Sequence, residues 1–385
     1  MKICVIGGTG NISTSIVSQL VKRGHDVYCF NRGLSGKVPK EVHQITGDRN
    51  DEKSFEKTIQ DEFFDYAIDM VCMNAHQASS TIRAFKGVKH LIFCSSASVY
   101  GVEYTSHPKK EDYLLKPNNK YALNKANSEK KFIDAYKIDK FPVTILRPSL
   151  TYGPQLGLYR QISTDPSWID RIRNGKSVII CDDGSARCQF MHVDDAAYIF
   201  TSLLGRKECF GEVYNVVHEK FYTWKEYHTE AMKVIRKKVE LIEISFKDLL
   251  KFKIPRFGNC RDYTSHDLYY SSEKLLKILP EFKSKISLND GMHEVFKSMD
   301  EDGRIKNSFN QNWEDRIIRK KNKGSFKNGL LINALLFNFD RIARFIKRRL
   351  LRLWIFNFFN KMSYYKNAMF KLIKNIGETI RWTTG

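Results

Sequence analysis

Short apolar runs rich in β-branched residues alternate with amphipathic stretches over the first 150 residues, and this alternation restricts the possible folds more than any other feature. The first three runs are KICVIG, DVYCF and VHQIT, and the next three are FDYAIDMV, KHLIFCSS and PVTILRP. Continuous apolar strands separated by helices indicate a parallel sheet covered by helices on both faces. Right-handed crossovers make such a sheet doubly wound. We therefore predict an α/β fold with a doubly wound parallel sheet.

Helical patterns between these runs are predicted at about residues 11–23, 51–61, 77–85 and 119–136. In a doubly wound sheet, ligands bind outside the carboxyl ends of the strands. The polar segments that follow strands one, two, three and five are GGTGNIS, NRG, GDRND and SSASVYG. We therefore expect these four segments to meet in one cleft.

The segment GGTGNIS has the composition of a phosphate-binding turn of the Rossmann type. Glycine permits positive φ and a close approach of the backbone to a pyrophosphate, and the helix that follows offers free N–H groups. A serine stands where a third glycine is expected, and a tight corner without a ligand is the alternative, because a glycine-rich turn alone is a weak signal. The predicted cofactor contacts here are Gly7, Gly10, Asn11, Ile12 and Ser13.

The end of strand two bears on the choice between NAD and NADP. NAD sites usually carry an acidic residue there, which binds the ribose hydroxyls, but this chain has Asn31 and Arg32. An arginine can pair with a 2′-phosphate, which slightly favours NADP, although a solvated loop arginine is an equal alternative. Asp48 in GDRND is expected to bind the adenine.

A candidate catalytic set follows strand five and the long fourth helix. Tyr121 and Lys125 are four residues apart on that helix and therefore share one face. An ammonium beside a phenol lowers the phenol's pKa, which would make Tyr121 a general acid and base near neutral pH. Ser96 in SSASVYG is placed to hydrogen-bond the reacting oxygen.

These segments, followed in order by RPSLTYGP, MHVDDAA and GEVYNV, resemble the extended branch of the short-chain dehydrogenase/reductase superfamily, the NAD-dependent epimerase/dehydratase family. The resemblance covers roughly residues 1–305. It implies a cofactor loop formed by Gly7, Gly10 and Ser13 and a catalytic set formed by Ser96, Tyr121 and Lys125. It also implies that Lys125 holds the nicotinamide ribose, and that hydride moves between the nicotinamide and a sugar carbon.

Two departures from the family pattern narrow the activity. The 4,6-dehydratases carry an Asp-Glu pair beside the catalytic hydroxyl, whereas Ala97 and Ser98 follow Ser96 here, which disfavours dehydration. Sugar-nucleotide enzymes carry an arginine four residues before the histidine of HVDD, and here Arg187 lies five residues before His192. Arg187 is the predicted substrate contact beside Ser96, and the departure weakens the case for a nucleoside diphosphate.

The function that these residues predict is an NAD(P)-dependent epimerase of a sugar or nucleotide sugar. The alternatives are an NADPH-dependent keto-sugar reductase and a non-catalytic cofactor-binding protein that contacts RNA or membrane, because the FNRG and GDR segments also resemble those of plant chloroplast stem-loop-binding proteins. A homodimer is expected, and no metal site is predicted.

The net charge of +21 belongs mainly to the end of the chain. Residues 316–385 hold 17 of the 64 basic residues but only two of the 43 acidic ones, and so carry +15. We divide the chain into a cofactor domain (1–155), a substrate lobe partly interleaved with the sheet (156–310) and a basic amphipathic helical tail (311–385).

The tail has no uncharged apolar stretch of about 18 residues, which argues against a spanning helix. Its mixture of arginines with large apolar residues favours a helix on an anionic membrane surface. A protein partner is the second choice and nucleic acid the third.

The eight cysteines show no C-x-x-C spacing and are expected to be free thiols of a reducing compartment. Because strand residues begin at Ile3, no basic leader precedes them. We predict a cytoplasmic protein that the tail could hold at the inner face of the membrane.

Overall fold

The computed structural model describes residues 1–104 and 106–323. The strands are β1 (Lys2–Ile6), β2 (Asp26–Asn31), β3 (His43–Thr46), β4 (Tyr66–Asp69), β5 (His90–Cys94), β6 (Val143–Pro148), β7 (Leu150–Tyr152), β8 (Val178–Cys181), β9 (Arg187–Cys188), β10 (Phe190–His192), β11 (Val213–Val216), β12 (Tyr222–Thr223) and β13 (Leu241–Ile244). Seven of them form one parallel sheet in the order β11-β6-β5-β4-β1-β2-β3. The predicted doubly wound α/β fold is confirmed.

The helices are α1 (Asn11–Lys22), α2 (Glu52–Glu62), α3 (Ala75–Ala84), α4 (Lys120–Asp139), α5 (Ser167–Arg173), α6 (Val193–Leu203), α7 (Trp224–Ile235), α8 (Phe246–Leu249), α9 (Glu273–Ile278), α10 (Leu288–Glu301) and α11 (Trp313–Asn322). Three of the helices predicted from the sequence begin at a side-chain cap. Asp51, Asn74 and Asn119 accept the backbone N–H three residues on, at 3.2, 3.0 and 3.0 Å. Such caps satisfy N–H groups that a helix start leaves free, so local sequence fixes these boundaries.

The strand β11 is part of the main sheet, and the helix α6 packs beside α1 on one of its faces. Val213 pairs with Ile145 of β6, which makes β11 an edge strand. The apolar face of α1, including Ile16 and Leu20, packs in one cluster with Phe200 of α6. The chain therefore returns to the sheet after the turns that follow β6.

The smaller lobe is built from pairs of short strands around an aromatic core. The strands β7 and β10 pair in parallel, as do β8 and β13, whereas β9 and β12 are antiparallel. Trp168, Phe190, Trp224 and Tyr227 are buried together. These short ladders position the loops that lie beyond the carboxyl edge of the main sheet.

Residues 1–316 form one compact unit, and a second unit begins at Ile317. Most of the predicted basic tail lies outside the described residues, so its proposed helix and membrane contact have no structural description. Within residues 1–104 and 106–323, no helix is both long and apolar enough to cross a bilayer. All eight cysteines are in the described part, where each is buried and free. The same residues contain no cluster of three or more His, Cys, Asp or Glu side chains that could hold a metal ion.

Candidate active site

The turn after β1 has a backbone that only glycine accommodates. Gly7 and Gly8 adopt φ values of +113° and +96°, which side chains rarely tolerate. A Cβ on Gly8 would lie 2.4 Å from Sγ of Cys29, so the turn is pressed against β2. Gly10 is the N-cap residue of α1, and because it has no side chain it does not cap the free N–H groups at the start of the helix. The start of α1 is therefore open to an anionic ligand.

Ser13 and Asn11 hold this turn in place through their side chains. Ser13 is buried, and its Oγ accepts the N–H of Gly10 at 2.8 Å, so the serine closes the turn. Asn11 donates from Nδ2 to the carbonyl of Thr151 at 3.1 Å and accepts the N–H of Leu156 at 3.2 Å. The side chain of Asn11 is thus engaged with protein groups, which leaves its backbone for a ligand.

A cavity of about 330 Å³ lies beside the turn and brings together the predicted adenosine contacts. It is lined by Gly7, Asn31, Arg32 and Asp48, together with Arg49, Asn50 and Gln77, which the sequence did not suggest. Asn31 donates to the carbonyl of Gly7 at 3.2 Å and accepts the N–H of Gly33 at 2.8 Å. The exposed Arg32 follows directly at the same edge.

Arg49 supports the wall of this cavity. Its Nη1 lies 2.9 Å from both carboxylate oxygens of the fully buried Asp69, and its Nη2 donates to Thr81 Oγ1 at 2.9 Å. Asp69 ends β4, so the pair joins the loop after β3 to the centre of the sheet. The neighbouring Asp48 accepts the N–H of Asn50 at 2.9 Å. The segment GDRND contained the signal, but nothing in the sequence pointed to Asp69 as the partner.

A second cavity, of about 340 Å³, contains the predicted catalytic hydroxyls. Ser96, Tyr121, Tyr159 and Tyr263 are among its lining residues, and Ile12 from the cofactor turn reaches it as well. Ser96 caps the short 3₁₀ helix after β5 by accepting the N–H of Ser98 at 3.2 Å. The carboxyl end of β5 and the start of α4 therefore present Ser96 and Tyr121 to one space.

Lys125 lies one turn beyond Tyr121 on α4 and is almost fully buried. Its Nζ donates to the carbonyls of Cys72 and Cys94, each at 2.8 Å. An ammonium has three hydrogens, so one remains for a ligand. Lys125 thus joins α4 to the ends of two neighbouring strands.

The pKa of Tyr121 differs from the prediction. Burial of the phenol raises its pKa to about 12, with a smaller increase from the nearby Cys94, while the Ser96 hydroxyl lowers it. The ammonium of Lys125 is directed to backbone carbonyls and is not among the groups that lower the phenol's pKa. The expectation that the ammonium of Lys125 lowers the pKa of Tyr121 is therefore wrong for the protein's own groups.

A buried ion pair behind the cavity positions the catalytic helix. Glu129, one turn beyond Lys125, accepts from Arg147 of β6 at 3.0 Å (Nε) and 2.6 Å (Nη2). Glu129 also accepts the hydroxyl of Ser95, next to Ser96. Both members of the pair are about 4% exposed. The helix α4 is thereby fixed to β5 and β6, by a pair that was not predicted from the sequence.

Arg187, the predicted substrate contact, lies outside the lining of the cavity that contains Ser96 and Tyr121. Its guanidinium donates from Nη2 at 2.5 Å and from Nε at 3.1 Å to the same Oδ2 of Asp267. It also stands over the rings of Phe221 and Tyr269. Arg187 is not among the described residues that line the catalytic cavity. Its charge is paired with Asp267, 80 residues further along the chain, and its contact with a substrate stays a prediction.

Comparisons with known proteins place the chain in a family. The family model "NAD dependent epimerase/dehydratase family" matches residues 3–216. The chain is similar to 2′-dehydrokanamycin reductase of Streptomyces kanamyceticus, with 26% identity over 59% of this chain and 64% of the reductase. It is also similar to the chloroplast stem-loop binding protein of 41 kDa b of Arabidopsis thaliana, with 24% identity over 83% of this chain and 85% of that protein.

Solved structures share the fold. UDP-glucose 4-epimerase of Thermotoga maritima, determined with UDP-glucose, superposes with a TM-score of 0.64 at 19% identity, over 78% of this chain and 99% of the epimerase. UDP-glucuronic acid 4-epimerase of Bacillus cereus, determined with UDP-glucuronic acid and NAD, gives 0.62 at 19% identity with the same coverage.

Proposed function

The chain belongs to the NAD-dependent epimerase/dehydratase family and is an enzyme, and from this premise we propose that it is a nicotinamide-dependent epimerase of a sugar or nucleotide sugar. The observation that carries the proposal is the placement of Ser96 and Tyr121 in one cavity at the carboxyl edge of the sheet, with Lys125 one turn further along α4. This is the arrangement that removal and return of a hydroxyl proton requires.

The residues present fit a dinucleotide. The glycine turn and the open start of α1 would hold the pyrophosphate, and the cavity lined by Asn31, Arg32 and Asp48 would hold the adenosine half. The remaining hydrogen of Lys125 would bind the nicotinamide ribose. We propose NADP over NAD, because Arg32 follows β2 where an acidic ribose ligand is absent.

The residues of the chain then have distinct parts in the reaction. Tyr121 exchanges the proton of the substrate hydroxyl, and Ser96 hydrogen-bonds the same oxygen. When bound, the oxidised cofactor would supply a hydride acceptor and a positive charge, and such a charge lowers the pKa of a nearby phenol. Since the protein's own groups raise the pKa of Tyr121 to about 12, a phenol without that charge stays protonated at neutral pH.

The test compares Tyr121→Phe with Tyr136→Phe, which removes a hydroxyl from the same helix at a residue outside the cavity lining. We expect Tyr121→Phe to lower turnover at least 100-fold while dinucleotide binding is retained, and Tyr136→Phe to leave both unchanged. Full turnover in Tyr121→Phe would contradict the proposal. Absence of turnover in a wild-type protein that binds the dinucleotide would instead favour a non-catalytic role, such as the RNA contact that the name of the chloroplast relative describes.

A keto-sugar reductase is the second candidate, because the relative from S. kanamyceticus is a reductase. The two activities differ in stoichiometry. A reductase consumes one NADPH for each product molecule, whereas an epimerase regenerates its cofactor in every cycle. Absorbance at the reduced-nicotinamide band during turnover separates them.

A further inference from the structure

The cavity that is lined by Ser96 and Tyr121 also contains a positively charged side chain, to which neither the sequence motifs nor the family match assigns a role. Among the described residues that line the cavity, Arg160 is the one charged side chain. It lies on the loop between β7 and α5 and is only 2% exposed. An arginine is rarely this buried unless it is paired or serves a ligand.

The hydrogen bonds of Arg160 are incomplete. Nη2 donates to Oε1 of Glu314, but among the described residues neither Nε nor Nη1 has a hydrogen-bond acceptor, whereas the neighbouring Arg171 leaves only Nη1 unpaired. The centroid of the Trp313 ring lies 5.0 Å from Cζ, and the ring covers part of the guanidinium. Buried N–H groups in proteins are nearly always paired, so these two nitrogens indicate an acceptor from outside the described residues.

Glu314 is shared between Arg160 and a second buried arginine. Its Oε1 also accepts the N–H of Ile179 at 2.6 Å, and its Oε2 lies 3.3 Å from Nε of Arg171, another buried arginine. Arg171 has a second carboxylate in Asp315 at 2.7 Å, whereas in the part of the chain that the structure describes only Glu314 pairs with Arg160.

The charge of Arg160 also acts on a neighbouring histidine. The pKa of the buried His228 is lowered to about 3, chiefly by burial and further by the charge of Arg160. A positive potential in a low-dielectric cavity attracts an anion, and a guanidinium binds carboxylate and phosphate oxygens with charge-assisted hydrogen bonds.

We infer that Arg160 is the anion-binding residue of the catalytic cavity and that the substrate carries a carboxylate or phosphate group that accepts from its free N–H groups. This inference rests on the proposed function, since it names the substrate class of the same site. It also reassigns the anion contact that the sequence placed at Arg187, which is occupied by Asp267.

The experiment uses the full chain saturated with whichever nicotinamide dinucleotide it binds more tightly, so that the pyrophosphate site at α1 is filled. The probes are two matched pairs, D-glucuronate with D-glucose and UDP with uridine, and their affinities are measured by ligand-observed NMR titration. In the wild-type protein, we expect at least one anion to bind at least tenfold more tightly than its neutral counterpart. A preference for glucuronate identifies a carboxylate as the source of the anion, and a preference for UDP identifies a diphosphate.

The variants are Arg160→Gln and, as the matched control, Arg171→Gln. Both remove one charge from the group around Glu314, but Arg171 does not line the cavity. We expect Arg160→Gln to lower the affinity for the preferred anion at least tenfold while dinucleotide affinity stays unchanged, and Arg171→Gln to change the anion affinity less than threefold.

Three results would overturn the inference: an anion preference that survives Arg160→Gln, an equal loss in Arg171→Gln, or equal binding of charged and neutral probes by the wild-type protein. The last comparison needs no variant and decides the matter even if Arg160→Gln does not fold. Failure to bind any dinucleotide would contradict the proposed function instead. In that case a loss of anion affinity in Arg160→Gln but not in Arg171→Gln would still assign the anion to the cavity rather than to the start of α1.

Discussion

The buried histidine at the start of β5 makes stability depend on pH in a way that the structure predicts. His90 is fully buried, its Nδ1 accepts the N–H of Gly205 at 2.9 Å, and its Nε2 lies 2.8 Å from Thr144 Oγ1. Since Nδ1 must accept, the ring is neutral with its hydrogen on Nε2. Burial lowers the pKa of His90 to about 3.

The magnitude follows from linkage. The unfolded chain protonates this histidine near pH 6.5, whereas the folded protein does so only near pH 3. Between these values the unfolded state binds the extra proton, so the free energy of unfolding falls as the pH falls. At pH 5, which is about 1.5 units below the unfolded pKa, the loss at 1.36 kcal/mol per unit is about 2 kcal/mol relative to pH 7.

Urea unfolding of the wild-type protein and His90→Asn at pH 7 and pH 5 measures this effect. Asparagine retains an acceptor for Gly205 but does not titrate, so the decrease in unfolding free energy between the two pH values should be about 2 kcal/mol smaller in the variant. His76→Asn, at an exposed position on α3, is the control and should behave as the wild-type protein does. The same pH dependence in His90→Asn and the wild-type protein would refute the reasoning, even if the variant is less stable at both pH values.

Three further predictions concern the site. Glu129→Gln leaves Arg147 buried without its carboxylate. It should lower the free energy of unfolding by about 3–5 kcal/mol in urea titrations and should also reduce turnover. A change below about 1 kcal/mol would show that the pair does not fix α4. Gly8→Ala should weaken dinucleotide binding at least tenfold in calorimetry because of the contact with Cys29, whereas Gly24→Ala, also at positive φ but with nothing within 4 Å, should not. Arg32→Ala should weaken NADP binding at least tenfold and leave NAD binding within twofold, and equal losses for both would contradict a 2′-phosphate contact.

Much of the fold could be predicted because its signals are local. The apolar runs correspond to β1 to β6, and the helix predicted at about 11–23 is observed at Asn11–Lys22. The meeting of Ser96 and Tyr121 also followed from the sequence, because the carboxyl ends of parallel strands share one edge. Periodicity and turn residues were sufficient for these features.

The ion pairs behind the site could not be predicted, because their partners are distant in sequence. Arg49 pairs with Asp69, which lies 20 residues further along the chain, and Arg187 pairs with Asp267, which lies 80 residues further along. A single sequence does not show which of its many charged residues is buried opposite another. The spacing of Glu129 four residues after Lys125 was a local signal, but it is equally typical of a solvated helix face.

Tyr121, Lys125 and Glu129 follow one another at four-residue spacing on α4, and the ion pair of Glu129 with Arg147 fixes the position of all three relative to the sheet. One residue inserted between Lys125 and Glu129 would turn the two halves of the helix by about 100° relative to each other. Glu129 and Tyr121 could then no longer lie on the same face of the helix. Anyone transplanting this active site into another scaffold must therefore move α4 and β6 as one cassette, with every length between these positions preserved.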